Sequence, residues 1–132
     1  MKNKELAAML YFANAVVLIT HEIDSAYWHE WNLLGLPGGI QLFLILHIPL
    51  VGAVLLGYRT VISWATGAEA WCYALASVGI LAFLLHGTFL LMGTPEFRSP
   101  VSLALLGATL VLSLWQIVVL SRKSAKAPST KS

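Results

Sequence analysis

Half of the chain's acidic residues and half of its histidines fall within eleven positions, His21-Glu22-Ile23-Asp24-Ser25-Ala26-Tyr27-Trp28-His29-Glu30-Trp31. Imidazole and carboxylate are ligand types that suit zinc, iron, nickel or copper, and they are also the usual partners in general acid–base work. On a helix, His21, Asp24 and Trp28 would share one face, with Glu22, Ser25 and His29 on the neighbouring one. Only two further histidines exist, His47 and His86, and each sits inside a long apolar run. No nucleophile motif accompanies them, and the single Cys72 excludes a CxxC redox or metal motif.

The elements that must position these groups are membrane helices. Hydrophobic residues make up 58% of the 132-residue chain and charged residues 11%, where a soluble domain carries about 25% charged. The mean hydropathy is +0.80. A small soluble domain buries only about 60–70% of its unfolded surface and could not hide that much apolar area. The reading is an all-α integral membrane four-helix bundle in one domain, residues 1–120, with spans at about 5–27, 39–58, 68–92 and 100–120. Residues 121–132 form a basic, Ser-rich tail, expected to be disordered and cytoplasmic. A net charge of +2, with no aromatic-laced basic patch, argues against nucleic-acid binding.

A span of about 20 residues is needed for a ~30 Å hydrocarbon core, so the first helix must take His21, Glu22 and Asp24 into its far end. Lys2, Lys4 and the apolar Leu6–Thr20 run imitate a signal peptide, but no small-x-small cleavage site follows, so this helix is expected to be retained. Asn14 is placed mid-span to bond a neighbouring helix. Trp28 and Trp31 read as interfacial anchors. In the second span Pro49 predicts a kink beside His47, and the connection from Thr60 to Gly67 is expected to lie along the membrane surface. Ser99-Pro100 is an N-cap and N1 pair opening the last span. Ala104 and Ala108 have small-xxx-small spacing for close helix packing. Glu30 reads as interfacial, and Glu69 and Glu96 as solvated loop charges.

Topology follows from the positive-inside rule. With the N-terminus cytoplasmic, Lys2, Lys4, Arg59, Arg122, Lys123, Lys126 and Lys131 lie inside and only Arg98 outside. Both termini are therefore expected in the cytoplasm of a bacterial cell whose inner (plasma) membrane holds the chain, and His21–Asp24 near the outer leaflet. Depths then follow from the rise per residue. His21 stands about 22 Å up the first helix and His86 about 24 Å up the third, while His47 lies about 10 Å below the outer boundary of the second. Three histidines on three helices thus approach one level. Ionisable groups inside a span face the bundle interior and mark functional sites by default.

The sequence His21-Glu22-Ile23-Asp24 followed by Glu30-Trp31 resembles an uncharacterised family, a domain of unknown function, of small bacterial four-helix membrane proteins. Its first helix ends in a His-Glu-Leu-Asp-Ala-like motif followed by Glu-Trp. Ile23 stands here for the usual leucine, Ser25-Ala26 spaces the alanine differently, and Asn32 occupies a position expected to be basic. The resemblance implies a bacterial inner-membrane bundle and brings no activity with it.

Three functions compete. The first is a His/carboxylate site binding a transition-metal ion or doing acid–base chemistry on a lipid or small apolar ligand. Its metal candidates are His21, Glu22, Asp24, His47 and His86, and its catalytic candidates Glu22 and Asp24. The second is a b-type haem protein with His47 and His86 as axial ligands. The third is a non-catalytic accessory subunit or small transport element, assembling as a homo-oligomer or with a larger membrane partner, with Ala104 and Ala108 as the available face. A structural alternative also stands, in which His47 and His86 satisfy carbonyls or each other.

Overall fold

The computed structural model describes residues 2–124; Met1 and the tail beyond Ser124 lie outside the described residues. The chain runs α1 (Lys2–Tyr27), a single-turn α2 (Glu30–Leu33), α3 (Gly39–Ile62), α4 (Ala68–Leu91) and α5 (Pro100–Ser124). Four of these helices are long and apolar enough to cross a membrane, over Asn3–Tyr27, Gly39–Ile62, Ala68–Leu91 and Pro100–Arg122. At 23–25 residues each, they reach about 35 Å.

Helix ends follow local chemistry. Ser99 Oγ accepts from the backbone N–H of Ser102 at 3.0 Å, capping α5 as expected of Ser99-Pro100. At the end of α4, Thr94 N–H bonds Phe89 C=O and Gly93 N–H bonds Leu90 C=O, the paired bonds of a Schellman motif. Gly93 supplies the left-handed residue, with φ 86°. The same pattern closes α3, where Ala65 bonds Thr60 and Trp64 bonds Val61, but there a tryptophan takes the left-handed position, φ 48°. The second long helix therefore continues to Ile62, one turn beyond the expected end near Tyr58. Pro49 sits inside it without ending it.

In cross-section the helices form a rhombus. α5 packs along both α1 and α4, α3 packs on the other side of the same two, and α1 and α4 meet across the short diagonal. The core is divided by polarity. Toward the termini it is apolar, built on Ala7, Leu10, Ala15, Cys72, Val119 and Leu120. From the middle to the opposite end the buried residues include Asn14, His21, Ser25, His86, Ser102, Thr109, Ser113 and Gln116. The outer surface is the reverse, with Ile48, Leu81 and Val111 each more than 60% exposed. A water-facing monomer rarely shows so large an apolar belt; a bilayer covers it.

Close approach of the helices is set by two glycines. A Cβ on Gly79 would run into the Ser113 and Thr109 side chains of α5, and one on Gly57 into the Tyr11 hydroxyl and the Trp71 ring. By contrast Ala104, one of the two residues expected to pack closely, is exposed, and Ala108 is half-buried. That face points out of the bundle.

Candidate functional site at the bundle end

α1 delivers two adjacent ionisable residues to different neighbours, because successive helical positions are rotated by about 100°. Glu22 turns toward α3, where its Oε2 stands 2.6 Å from His47 Nε2. The other nitrogen of that ring, Nδ1, is 2.6 Å from the carbonyl of Phe43, one turn earlier. Phe43 also stacks on the imidazole, with ring centroids 3.8 Å apart. A crevice of about 20 Å³ beside Glu22, walled by Leu18, Leu50, Val51 and Val78, is large enough for one water molecule.

His21 turns the other way, into the bundle, where it is 1% exposed. Its ring meets His86 edge-on, centroids 4.5 Å apart at 81°. Neither His21 nitrogen has a hydrogen-bond partner. His86, 2% exposed, repeats the anchoring seen at His47: its Nδ1 donates to the carbonyl of Ala82, one turn earlier, at 2.8 Å. Its Nε2 faces Glu30 Oε1 at 3.5 Å. That is ion-pair range but too long for a hydrogen bond, and Nε2 is otherwise unpartnered. Glu30 reaches this position because the chain turns sharply at His29, which adopts a left-handed φ of 55° and starts α2. His21 and Glu22 are consecutive on α1, so the two His–Glu pairs lie at the same end of the bundle.

A phenylalanine closes the site from above. Phe97, in the α4–α5 connection, is fully buried and packs edge-on against His86 at 4.4 Å. It also touches the rings of His21 at 6.1 Å and Trp28 at 6.4 Å. It does so in a left-handed conformation, φ 61°, which strains a residue with a Cβ. Trp28, expected only as an anchor, donates from Nε1 to Ser102 Oγ at 3.3 Å and so ties the end of α1 to the start of α5.

The expected site residues are thus partly gathered. His21 and His86 are in contact, and His47 and Glu22 are in contact. Asp24 is half-buried with Oδ2 unpartnered, and no histidine bonds it. Among the described residues no group of three or more His, Cys, Asp or Glu is arranged to hold a metal ion. Two participants escaped the sequence reading. Glu30, read as interfacial, is 7% exposed and faces His86; Phe97 lies in the α4–α5 connection, where the sequence reading placed no site residue. A lone large aromatic in Thr-Pro-Glu-Phe-Arg was the available signal for the second. Glu96 differs as well, being half-buried with an enclosed, unpartnered Oε2 rather than solvated.

Comparison with family models finds a match over residues 7–123 to a family of unknown function, DUF6713. The chain belongs to that family. Comparison with curated proteins and with solved structures returns no match. The matched region takes in the first DUF6713 span from Ala7, the other three spans whole, and every residue of the His–Glu site.

The chemistry open to the site follows from hydrogen counting. If His47 carried one ring proton and Glu22 were ionised, either Nε2 would face Oε2, or Nδ1 would face the Phe43 carbonyl, lone pair to lone pair at 2.6 Å. Both contacts are satisfied together when the pair holds one proton more than a neutral imidazole and a carboxylate. Whether drawn as imidazolium–carboxylate or imidazole–carboxylic acid, it is neutral overall, which suits burial in a medium where an isolated charge is costly.

Proposed function

We propose that this protein is a multi-pass membrane protein whose bundle end binds and exchanges protons through paired histidines and glutamates. The observation that carries this reading is the His47–Glu22 contact at 2.6 Å with Nδ1 committed to the Phe43 carbonyl. The proton between Nε2 and Oε2 is the one that can leave, because Nδ1 is committed to the Phe43 carbonyl. His86 and Glu30 supply a second, looser pair, and His21, with two free nitrogens beside His86, supplies a relay group. Membrane pumps and transporters use such histidine and carboxylate chains as proton relays. From the charge bias we infer that the termini are cytoplasmic and that the site lies toward the outer face of the inner membrane.

Nitrogen NMR of histidine-labelled protein tests this. Glu22→Gln should remove the strongly hydrogen-bonded Nε2 signal of His47 and leave His86 unchanged, whereas Glu30→Gln should alter His86 alone. Unchanged histidine spectra in both variants would refute the pairing.

A metal ion is the second reading, favoured by the unpartnered nitrogens of His21 beside the His86 ring. It predicts stoichiometric metal in purified protein that His21→Ala removes. A haem bridging His47 and His86 has less support, because each Nδ1 is held by its own helix and each Nε2 is directed at a carboxylate.

A further inference from the structure

One heptad along the bundle from the histidines lies a second buried polar cluster that the His–Glu site does not use. Asn14, Thr109, Ser113 and Gln116 are all fully buried. Asn14 Nδ2 donates to Ser113 Oγ at 3.0 Å and to Gln116 Oε1 at 3.3 Å, and Gln116 Nε2 donates to the Cys72 carbonyl at 2.8 Å. These bonds fix the orientation of both amides. They leave Asn14 Oδ1 without a donor, and Thr109 Oγ1 without any partner. Helix-to-helix glue alone does not account for this, because glue pairs its polar atoms and valine would fill the Thr109 space as well. Two enclosed oxygens without protein partners leave hydrogen-bonding capacity in the core that the helix contacts do not use.

The register connects this cluster to the histidines. Asn14 and His21 on α1, Gly79 and His86 on α4, and Ser102 and Thr109 on α5 are each seven residues apart, about 10 Å on one face. Thr109 and Ser113 lie directly against Gly79, so the same three helices build both levels. Between them the buried α1 and α5 residues are Ala15, next to Asn14, and then Leu18 and Leu106. On the other side, Tyr11 lies one turn before Asn14. Its hydroxyl donates to the Val54 carbonyl at 2.9 Å, and its ring stacks on Tyr58. Tyr58 borders an open groove of about 660 Å³, with Lys4 and Glu5 at its rim.

We propose that the Asn14–Thr109–Ser113–Gln116 cluster is the second station of a proton path through the bundle. The path runs from the His–Glu site, past the Leu18 and Leu106 level, to Tyr11 and the groove at the terminal end. This rests on the proton-exchange reading of the histidines. The 10 Å between stations takes two or three waters spaced about 2.8 Å apart, admitted when the leucines move. A proton accepted on one side of a hydroxyl or water releases the proton on its other side, so every group ends chemically unchanged and only the direction of its hydrogen bonds reverses.

The experiment is proton flux into vesicles of purified, reconstituted protein, followed with a trapped pH-sensitive dye under a potassium-diffusion potential. Wild type and Phe97→Ala are both measured, so that a closed plug cannot mask the path. Flux above protein-free vesicles in at least one of them, lost on adding Thr109→Val, is the expected result; that substitution keeps the volume and removes only the unpartnered hydroxyl. The histidine NMR signature should survive Thr109→Val. Flux no greater than that of empty vesicles in both proteins, or undiminished by Thr109→Val, overturns the path while leaving the proton-exchange site standing. Loss of the His47–Glu22 signature from wild type itself removes the site as well.

Discussion

Replacing Phe97 separates two opposing contributions at one residue. The ring is fully buried against His86, His21 and Trp28, and removing such a ring to alanine costs about 3–5 kcal/mol. Part of that is aromatic contact, about 0.5–1.5 kcal/mol for each well-formed pair. Against it stands the backbone: at φ 61° a residue with a Cβ carries about 1–2 kcal/mol of strain that glycine does not. Phe97→Ala loses the ring and keeps the strain, whereas Phe97→Gly loses both. The expected order of stability is therefore wild type, then Phe97→Gly, then Phe97→Ala, with the glycine variant above alanine by about 1 kcal/mol. The assay is reversible unfolding of the purified protein in mixed micelles, followed by circular dichroism, with histidine modification by an imidazole-acylating reagent as a parallel readout. Both variants should expose His21 and His86 to the reagent. Phe97→Ala matching wild type in stability would show that the ring is not packed as described. Alanine above glycine would show that the backbone is not held left-handed.

Gly79→Ala should destabilise by about 1–3 kcal/mol through overpacking, since its Cβ meets Ser113 and Thr109, whereas Gly52→Ala, which meets nothing within 4 Å, should be neutral or stabilising by up to about 1 kcal/mol. Equal unfolding midpoints for the two would contradict the close α4–α5 approach. In a Cys72→Ala background, Arg98→Cys should react with a membrane-impermeant thiol reagent in intact cells while Arg122→Cys should react only after lysis. The reverse pattern would invert the topology.

The four spans were legible because hydrophobic length is a local property: a run such as Leu42–Leu56 must be helical wherever a bilayer surrounds it. The Ser99 cap was legible for the same reason, its bond reaching only three residues. The approach of Glu22 to His47 was half legible. The rise per residue put both at one level, but depth does not say which way a side chain is rotated, so the sequence offered five candidates as one set where the fold makes two pairs.

Composition, span length and charge bias by themselves determined that this is a helical membrane protein with ionisable groups held inside one end of its bundle. They determined it because burying a peptide group or a charge in hydrocarbon has few solutions. The tertiary structure alone decided which groups meet. It sends His21 and Glu22, neighbours in sequence, to different helices, brings Glu30 back over His86 through a left-handed turn at His29, and folds Phe97 from a polar connection into the core. Each of those outcomes depends on helix rotation and on loops returning across the bundle, and neither is encoded in any window of the chain short enough to be read alone.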